Sequence, residues 1–213
     1  MEVSVQRRIV DAAVELFSRK GFDGTSVQEV VDAARVTKGA MYHYFRSKDD
    51  LLYEIYHELI TEQLAALDRI RALGQPPPQA LRAIIVDLVE STAARLPAAA
   101  VYAREGHKLA GEPTAAQLVG AAPGERSGAA LRAQRRRYHE GVRELVARGQ
   151  RDGAFGTSAS AETVTLVVFG IINQLPRWYR PDGSISPRRL ADEIAGFVLA
   201  GLSATQIEES YAQ

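Results

Sequence analysis

The run Thr37-Lys38-Gly39-Ala40, followed by Tyr42-His43-Tyr44, collects the residue types that can read a polyanion. A lysine reaches guanine O6 and N7 or a phosphate, and a threonine touches a thymine methyl or a phosphate. Gly39 and Ala40 are small enough for a helix start to enter a groove that bulky side chains would keep away. Three consecutive aromatic-ring residues fan over most of a helix circumference, whereas Met41 and Phe45, four apart, share one side and are expected to pack inward. From Arg35 to Lys48 there are four basic residues (Arg35, Lys38, Arg46, Lys48) and no acidic one. Such a local patch suffices for phosphate contact if its geometry is right. Plainer alternatives stay open residue by residue. The patch is also compatible with a solvated face, Gly39 with a helix start, Tyr42 and Tyr44 with core aromatics, and His43 with a surface imidazole.

These residues need elements to hold them. Ile9, Ala12, Ala13, Leu16 and Phe17 follow helical spacing and predict one buried stripe on a first helix, stopped at Gly21. A second helix is expected from Thr25, where Thr25 and Gln28 have capping-box spacing and Val27, Val30, Val31 and Ala34 form the apolar face. Thr37 caps a short third helix through Phe45, and the turn at Ala34-Arg35-Val36 makes the pair a helix-turn-helix. Ser47 and Asp50 repeat the capping spacing and open a long fourth helix, whose apolar period lasts to Leu73 before Gly74 and Pro76-Pro77-Pro78 end it. Further helices are expected near 79–95, 98–110, 128–150, 161–178 and 187–203, with Gly120 to Gly128 as a mobile loop. The organisation is therefore all-α: a head at 1–46 and a body at 47–213, with the helix 47–73 connecting them.

Composition excludes several classes. The chain has 213 residues, 46% of them apolar, and a net charge of zero. No stretch reaches the roughly 18 apolar residues that span a bilayer. The N-terminus lacks the apolar core of a signal peptide. Together these imply a soluble cytoplasmic protein without membrane contact. There is no cysteine, hence no disulfide, thiol nucleophile or thiolate metal site. The four histidines are scattered, and neither a nucleophile elbow nor a phosphate-binding glycine loop is present. An enzyme is the least favoured class, no cofactor or metal is expected, and a helical adaptor without DNA contact is the main alternative.

As a connected pattern, residues 9–55 resemble the head of the TetR family of bacterial regulators. The pattern comprises Gly21-Phe22, Thr25-Ser26-Val27, Val30-Val31, Ala33-Ala34, Val36, Lys38-Gly39, Tyr42-His43-Tyr44-Phe45 and Lys48-Asp49-Asp50-Leu51-Leu52. The resemblance implies a three-helix head that binds double-stranded operator DNA, a helical ligand-binding body, and a homodimer closed by a four-helix bundle of the last two long helices. It places Ser26 and Gln28 near the DNA backbone. Thr37, Lys38, Gly39, Tyr42 and His43 face the groove, and Tyr44 and Lys48 lie on phosphates.

In the body, Tyr102, Arg104, Glu105 and Leu109, then Arg135-Arg136-Arg137-Tyr138, then Arg177-Trp178-Tyr179-Arg180-Pro181-Asp182-Gly183, resemble acyl-CoA-responsive repressors of lipid and sterol-ring catabolism. That subgroup places an arginine and a tryptophan where this chain has Phe169 and Asn173. The resemblance implies a small-molecule inducer, with an acyl-CoA thioester as the candidate and an unrelated apolar drug or metabolite as the alternative. The ligand-binding residues it suggests are Tyr102, His107, Phe169, Asn173, Arg177 and Trp178. Arg135 to Arg137 can equally be a solvated face. For the dimer, the expected apolar stripes are Val164, Val168, Ile171 and Leu175 on one helix and Leu190, Ile194, Phe197, Val198 and Leu202 on the other, with Gly170, Gly196 and Gly201 allowing close approach.

Overall fold

A computed structural model describes residues 3–110 and 123–203, with side chains described for 3–106 and 128–203. The described residues are helical without strands. The first helix, α1 (Val5–Lys20), is capped by Ser4, whose hydroxyl accepts from Arg7 N at 3.2 Å, and it buries Ile9, Ala12, Ala13, Leu16 and Phe17 as its spacing requires. Its stop is Gly21 at φ 86°, whose N–H donates to Phe17 O. The positive φ is what makes glycine the suitable residue there.

The second helix, α2 (Val27–Ala34), starts one residue later than its first capping signal. Ser26 is the N-cap, and Ser26 with Glu29 forms the reciprocal box. Thr25 is buried instead, and its hydroxyl donates to Gly21 O at 2.8 Å. Thr25–Gln28 and Ser26–Glu29 both fit the pattern locally. Glu29 decides the register because it also meets Lys20 at 2.5 Å. The third helix, α3 (Lys38–Tyr44), is capped by Thr37, and the long α4 spans Lys48–Ala72. At its start Asp50 N donates to Ser47 Oγ at 3.1 Å, while the Asp50 carboxylate accepts from Arg46 N at 2.8 Å.

Beyond the proline corner follow α5 (Pro77–Ala94), α6 (Leu96–Ala110) and α7 (Pro123–Arg151). Of the loop expected at Gly120 to Gly128, residues 123–128 are helical, and 120–122 lie outside the described residues. The expected helix at 161–178 divides into α8 (Ala161–Asn173) and α9 (Leu175–Trp178). Pro176 is the cause: it lacks an N–H for the ladder and crowds the carbonyl four residues earlier. The last helix is α10 (Pro187–Ser203).

The chain divides into two compact units, 3–61 with 95–135 and 62–94 with 136–203 among the described residues. In the first, α1 packs on α2, α3 and α6. The Tyr56 hydroxyl donates to Val101 O at 3.1 Å, and burial pushes that phenol well above the usual range. In the second, α5 packs along α10 and against α8 and α9. Leu81, Ile84, Ile85, Leu88 and Val89 from α5 share that core with Leu190, Ala191, Ala195, Val198 and Leu202 from α10. Tyr138 joins it 5.5 Å from the ring of Phe169.

Candidate nucleic-acid interface

The outward face of α3 is set by what lies beneath it. Met41 is fully buried and Phe45 nearly so, as their spacing predicted. With that side fixed, Tyr42 and Tyr44 emerge 51% and 45% exposed, and His43 is exposed with its ring 4.9 Å from Tyr44. Their exposure removes the reading of Tyr42 and Tyr44 as core aromatics. Thr37 Oγ1 accepts from Ala40 N at 3.1 Å, so its oxygen holds the helix start and its methyl is left for contact. A side chain at Gly39 would meet only Thr37 Oγ1, at 3.8 Å. Nothing inside the protein therefore requires glycine at that position, and the room it creates faces outward. Arg35, Lys38 and Arg46 are exposed and pair with no carboxylate among the described residues.

The turn between α2 and α3 carries a local strain. Arg35 adopts φ 54° and ψ 50°, the left-handed region that costs a residue with a Cβ roughly 1–2 kcal/mol. Arg35→Gly should relieve part of this, the gain being reduced by the greater freedom of glycine in the unfolded chain. The expected result is a stabilisation of up to about 1 kcal/mol, a rise in Tm of about 2–4 °C, read by calorimetry. An unchanged or lower Tm would show that the Arg35 side chain itself stabilises the turn.

Ser26 and Gln28 are engaged within α2. Ser26 serves the capping box, and Gln28 Nε2 donates to Asp32 Oδ1 at 2.7 Å. Glu29 is held near a pKa of about 2, first by its contact with Lys20 and then by the backbone and hydroxyl of Ser26. A depressed carboxylate contributes stability above its ordinary pKa of 4.5 and loses it as pH falls toward 2. The head should therefore loosen across that acid window. Glu29→Gln should flatten this dependence in an acid titration followed by circular dichroism, and a slope identical to the wild type would refute the assignment.

Lys48 was not legible as the structure places it. Its Nζ donates to Phe22 O at 2.7 Å and Thr25 O at 2.8 Å, and stands 4.4 Å from the centroid of the Phe22 ring. It ties the start of α4 to the corner between α1 and α2. Glu105 on α6 approaches the same corner, accepting from Phe22 N at 3.3 Å. Arg104 beside it donates to Ser18 O at 3.3 Å and to Phe17 O, at the end of α1.

A helix-turn-helix with this outward face invites comparison with known proteins. Residues 9–55 match the family model for bacterial regulatory proteins of the tetR family, and residues 74–202 match that of the tetracyclin repressor-like C-terminal domain. The chain belongs to the TetR family. It is thereby a transcriptional regulator and not an enzyme. It is 27% identical over 195 residues to the HTH-type transcriptional repressor KstR2 of Rhodococcus jostii, covering 92% of this chain and 89% of that one. The structure of the ketosteroid transcriptional regulator KstR2 of Mycobacterium tuberculosis superposes with a TM-score of 0.82 at 19% identity, covering 96% of this chain and 97% of that one. AibR, in a complex with isovaleryl coenzyme A and operator DNA, superposes with a TM-score of 0.74 at 23% identity, over 91% and 97% of the two chains. No described helix of this TetR-family chain is long and apolar enough to cross a membrane.

The residues that the sequence suggested for a body ligand fall in both units. Tyr102 lies in the first unit, half-buried, with its ring 5.1 Å from Tyr56 and under the Arg135 guanidinium at 5.5 Å. Burial raises its phenol pKa, and Arg135 opposes that rise. Arg135 is thereby set apart from Arg136 and Arg137, which are exposed. The side chain of His107 lies outside the described residues. In the second unit Phe169 is buried, with His139 at 4.3 Å on one side. Asn173 and Arg177 are exposed, and Trp178 is 49% exposed. Within that unit, Phe169 belongs to the core and the other three to the surface.

Proposed function

We propose that this TetR-family chain is a dimeric repressor that binds a pseudo-palindromic operator through its head, 1–46, and is released when its body, 47–213, takes up an acyl-CoA thioester. The observation that carries the DNA-binding half is the outward face of α3. Thr37, Lys38, Gly39, Tyr42 and His43 face the groove in this reading, and the side chains of Lys38 and Tyr42 make no hydrogen bond among the described residues. Ser26, Gln28, Tyr44 and Lys48 flank them toward the phosphates.

The dimer is supported by apolar surface on α8 and α10. Leu166, Val167 and Phe197 are 56%, 52% and 76% exposed. A side chain added at Gly170, Gly196 or Gly201 would meet nothing within 4 Å, so these glycines leave space on the outer faces. Val164, Val168 and Leu175, with Leu190, Val198 and Leu202, point into the core instead. The stripe assigned to the dimer from spacing is therefore corrected: of the large apolar residues in it, Phe197 stands on the outside and Ile171 and Ile194 are half-buried.

The inducer class is supported by the likeness to KstR2 repressors and to AibR with its bound thioester. Arg177 offers a cation for a phosphate or carboxylate. A ligand acts only by binding the released conformation better than the DNA-bound one, and a coupling of about 1–3 kcal/mol weakens operator affinity roughly 5–150-fold. Because α4 carries residues of both units, we take it as the lever of that change.

The test is electrophoretic mobility shift on the DNA upstream of the gene, titrated with CoA thioesters, free acids and unrelated apolar drugs. Lys38→Ala should relax preference at one operator position by about 1–3 kcal/mol. Equal loss on specific and random DNA would refute its base contact. Release by the drugs alone, or thioester release undiminished in Arg177→Ala, would overturn the ligand. The lever fails if DNA is released while the distance between spin labels on the two α3 helices stays unchanged.

A further inference from the structure

The second unit contains a cavity of about 370 Å³ where the end of α4, the proline corner before α5 and the last turns of α7 meet. Its polar wall is Arg71, Gln75, Glu144, Arg148 and Arg151. Glu144, Arg148 and Arg151 are four and three apart, which puts them on one face of α7. Arg71 crosses from α4 to Glu144 at 2.6 Å and uses up the single carboxylate. Arg148 and Arg151 pair with no carboxylate among the described residues. The cavity is therefore left with two uncompensated guanidiniums. In the same lining, Gln75 Oε1 is buried and has no hydrogen-bond partner among the described residues, a state that native proteins seldom keep without a reason.

We propose that this cavity is a second ligand site, distinct from the head and independent of the inducer assignment, and that it takes a phosphate monoester carrying a hydroxyl group. Two guanidinium forks match the geometry and double charge of a phosphate monoester, which a single carboxylate does not balance. The ligand hydroxyl donates to Gln75 Oε1. A backbone cradle is not available: Pro77 and Pro78 have no N–H, and the first amides of α5, at Gln79 and Ala80, donate to Pro76 O at 3.0 Å. Recognition thus falls on side chains. Ile70, Ala80 and Leu145 in the lining offer apolar contact to the carbon skeleton of the ligand.

The test is calorimetric titration of the full chain with ribose 5-phosphate, inorganic phosphate, sulfate and ribose. Ribose 5-phosphate should bind more tightly than inorganic phosphate, and ribose should not bind. The doubly substituted Arg148→Ala, Arg151→Ala chain should weaken ribose 5-phosphate at least about tenfold. Because both side chains are exposed, its thermal melt in the absence of ligand should be unchanged. Gln75→Leu should remove the advantage of ribose 5-phosphate over inorganic phosphate while leaving phosphate bound. Coenzyme A and dephospho-coenzyme A, used as competitors, separate two sources of the same chemistry. Competition by the first alone would tie the site to the 3′-phosphate of the proposed thioester inducer and overturn its independence, and competition by neither assigns it to a free phosphorylated metabolite. Sulfate matching ribose 5-phosphate, or wild-type affinity in the double variant, would overturn the proposal.

Discussion

Phe197→Glu is expected to convert the protein to a monomer and to weaken operator binding by about 100-fold or more. Phe197 is the most exposed large apolar side chain among the described residues, at 76%. It sits beside Gly196 and one turn before Gly201 on α10, where added side chains would meet nothing of their own chain. In a two-fold dimer the same patch meets itself, so one substitution installs two carboxylates in an apolar contact, each without a partner. The protomer has little reason to respond, because the ring lies outside the core formed by Leu190, Ala191, Ala195, Val198 and Leu202. The loss on DNA follows from geometry: two linked heads gain roughly 10²–10⁴ in effective affinity over one, and a monomer forfeits it. Sedimentation at micromolar concentration and mobility shift read the two effects separately. A variant that still sediments as a dimer would remove α10 from the interface, and a wild-type monomer would sink the dimer altogether.

Those two C-terminal helices also show where sequence reasoning reaches its limit. On α1 the stripe Ile9, Ala12, Ala13, Leu16 and Phe17 is buried as spaced, and Val10, outside that stripe, is buried with it. On α8 the apolar residues surround the helix. Val164, Val168 and Ile172 are buried while Leu166 and Val167 are exposed, and period alone cannot say which side faces the core. The capping register failed for a related reason: Thr25–Gln28 and Ser26–Glu29 both satisfy the local rule, and Lys20, outside the helix, decides between them. Met41 and Phe45 were legible because four-residue spacing on a short helix with polar neighbours leaves a single inward side. The body residues were not. Phe169, Asn173 and Arg177 are each four apart, yet the helix breaks at Gln174, ahead of Pro176, and only Phe169 is buried.

Lys48→Ala carries the second large effect, and it separates two roles of one ammonium. The acceptors of Lys48, Phe22 O and Thr25 O, lie 26 and 23 residues earlier in the chain, so no local pattern could announce them. Hydrogen bonds to a charged group contribute about 1.5–3 kcal/mol each, and partial exposure reduces that figure here. Removing both should cost about 2–4 kcal/mol and lower Tm by about 5–12 °C. An ammonium has three N–H groups, so one remains for a DNA phosphate. If it is used, the variant weakens binding to all sequences and lowers the salt slope by about one. Lys48→Arg is the informative companion. It keeps the charge, hence the slope, but its planar fork does not reproduce a point ammonium set between two carbonyls above a ring, so part of the stability should still be lost. Calorimetry and salt-dependent mobility shift on both variants settle the matter. A lowered Tm with an unchanged slope in Lys48→Ala would leave Lys48 as the tie between α4 and the α1–α2 corner and nothing more. A lowered slope with an unchanged Tm would show that the contacts with Phe22 and Thr25 contribute no net stability.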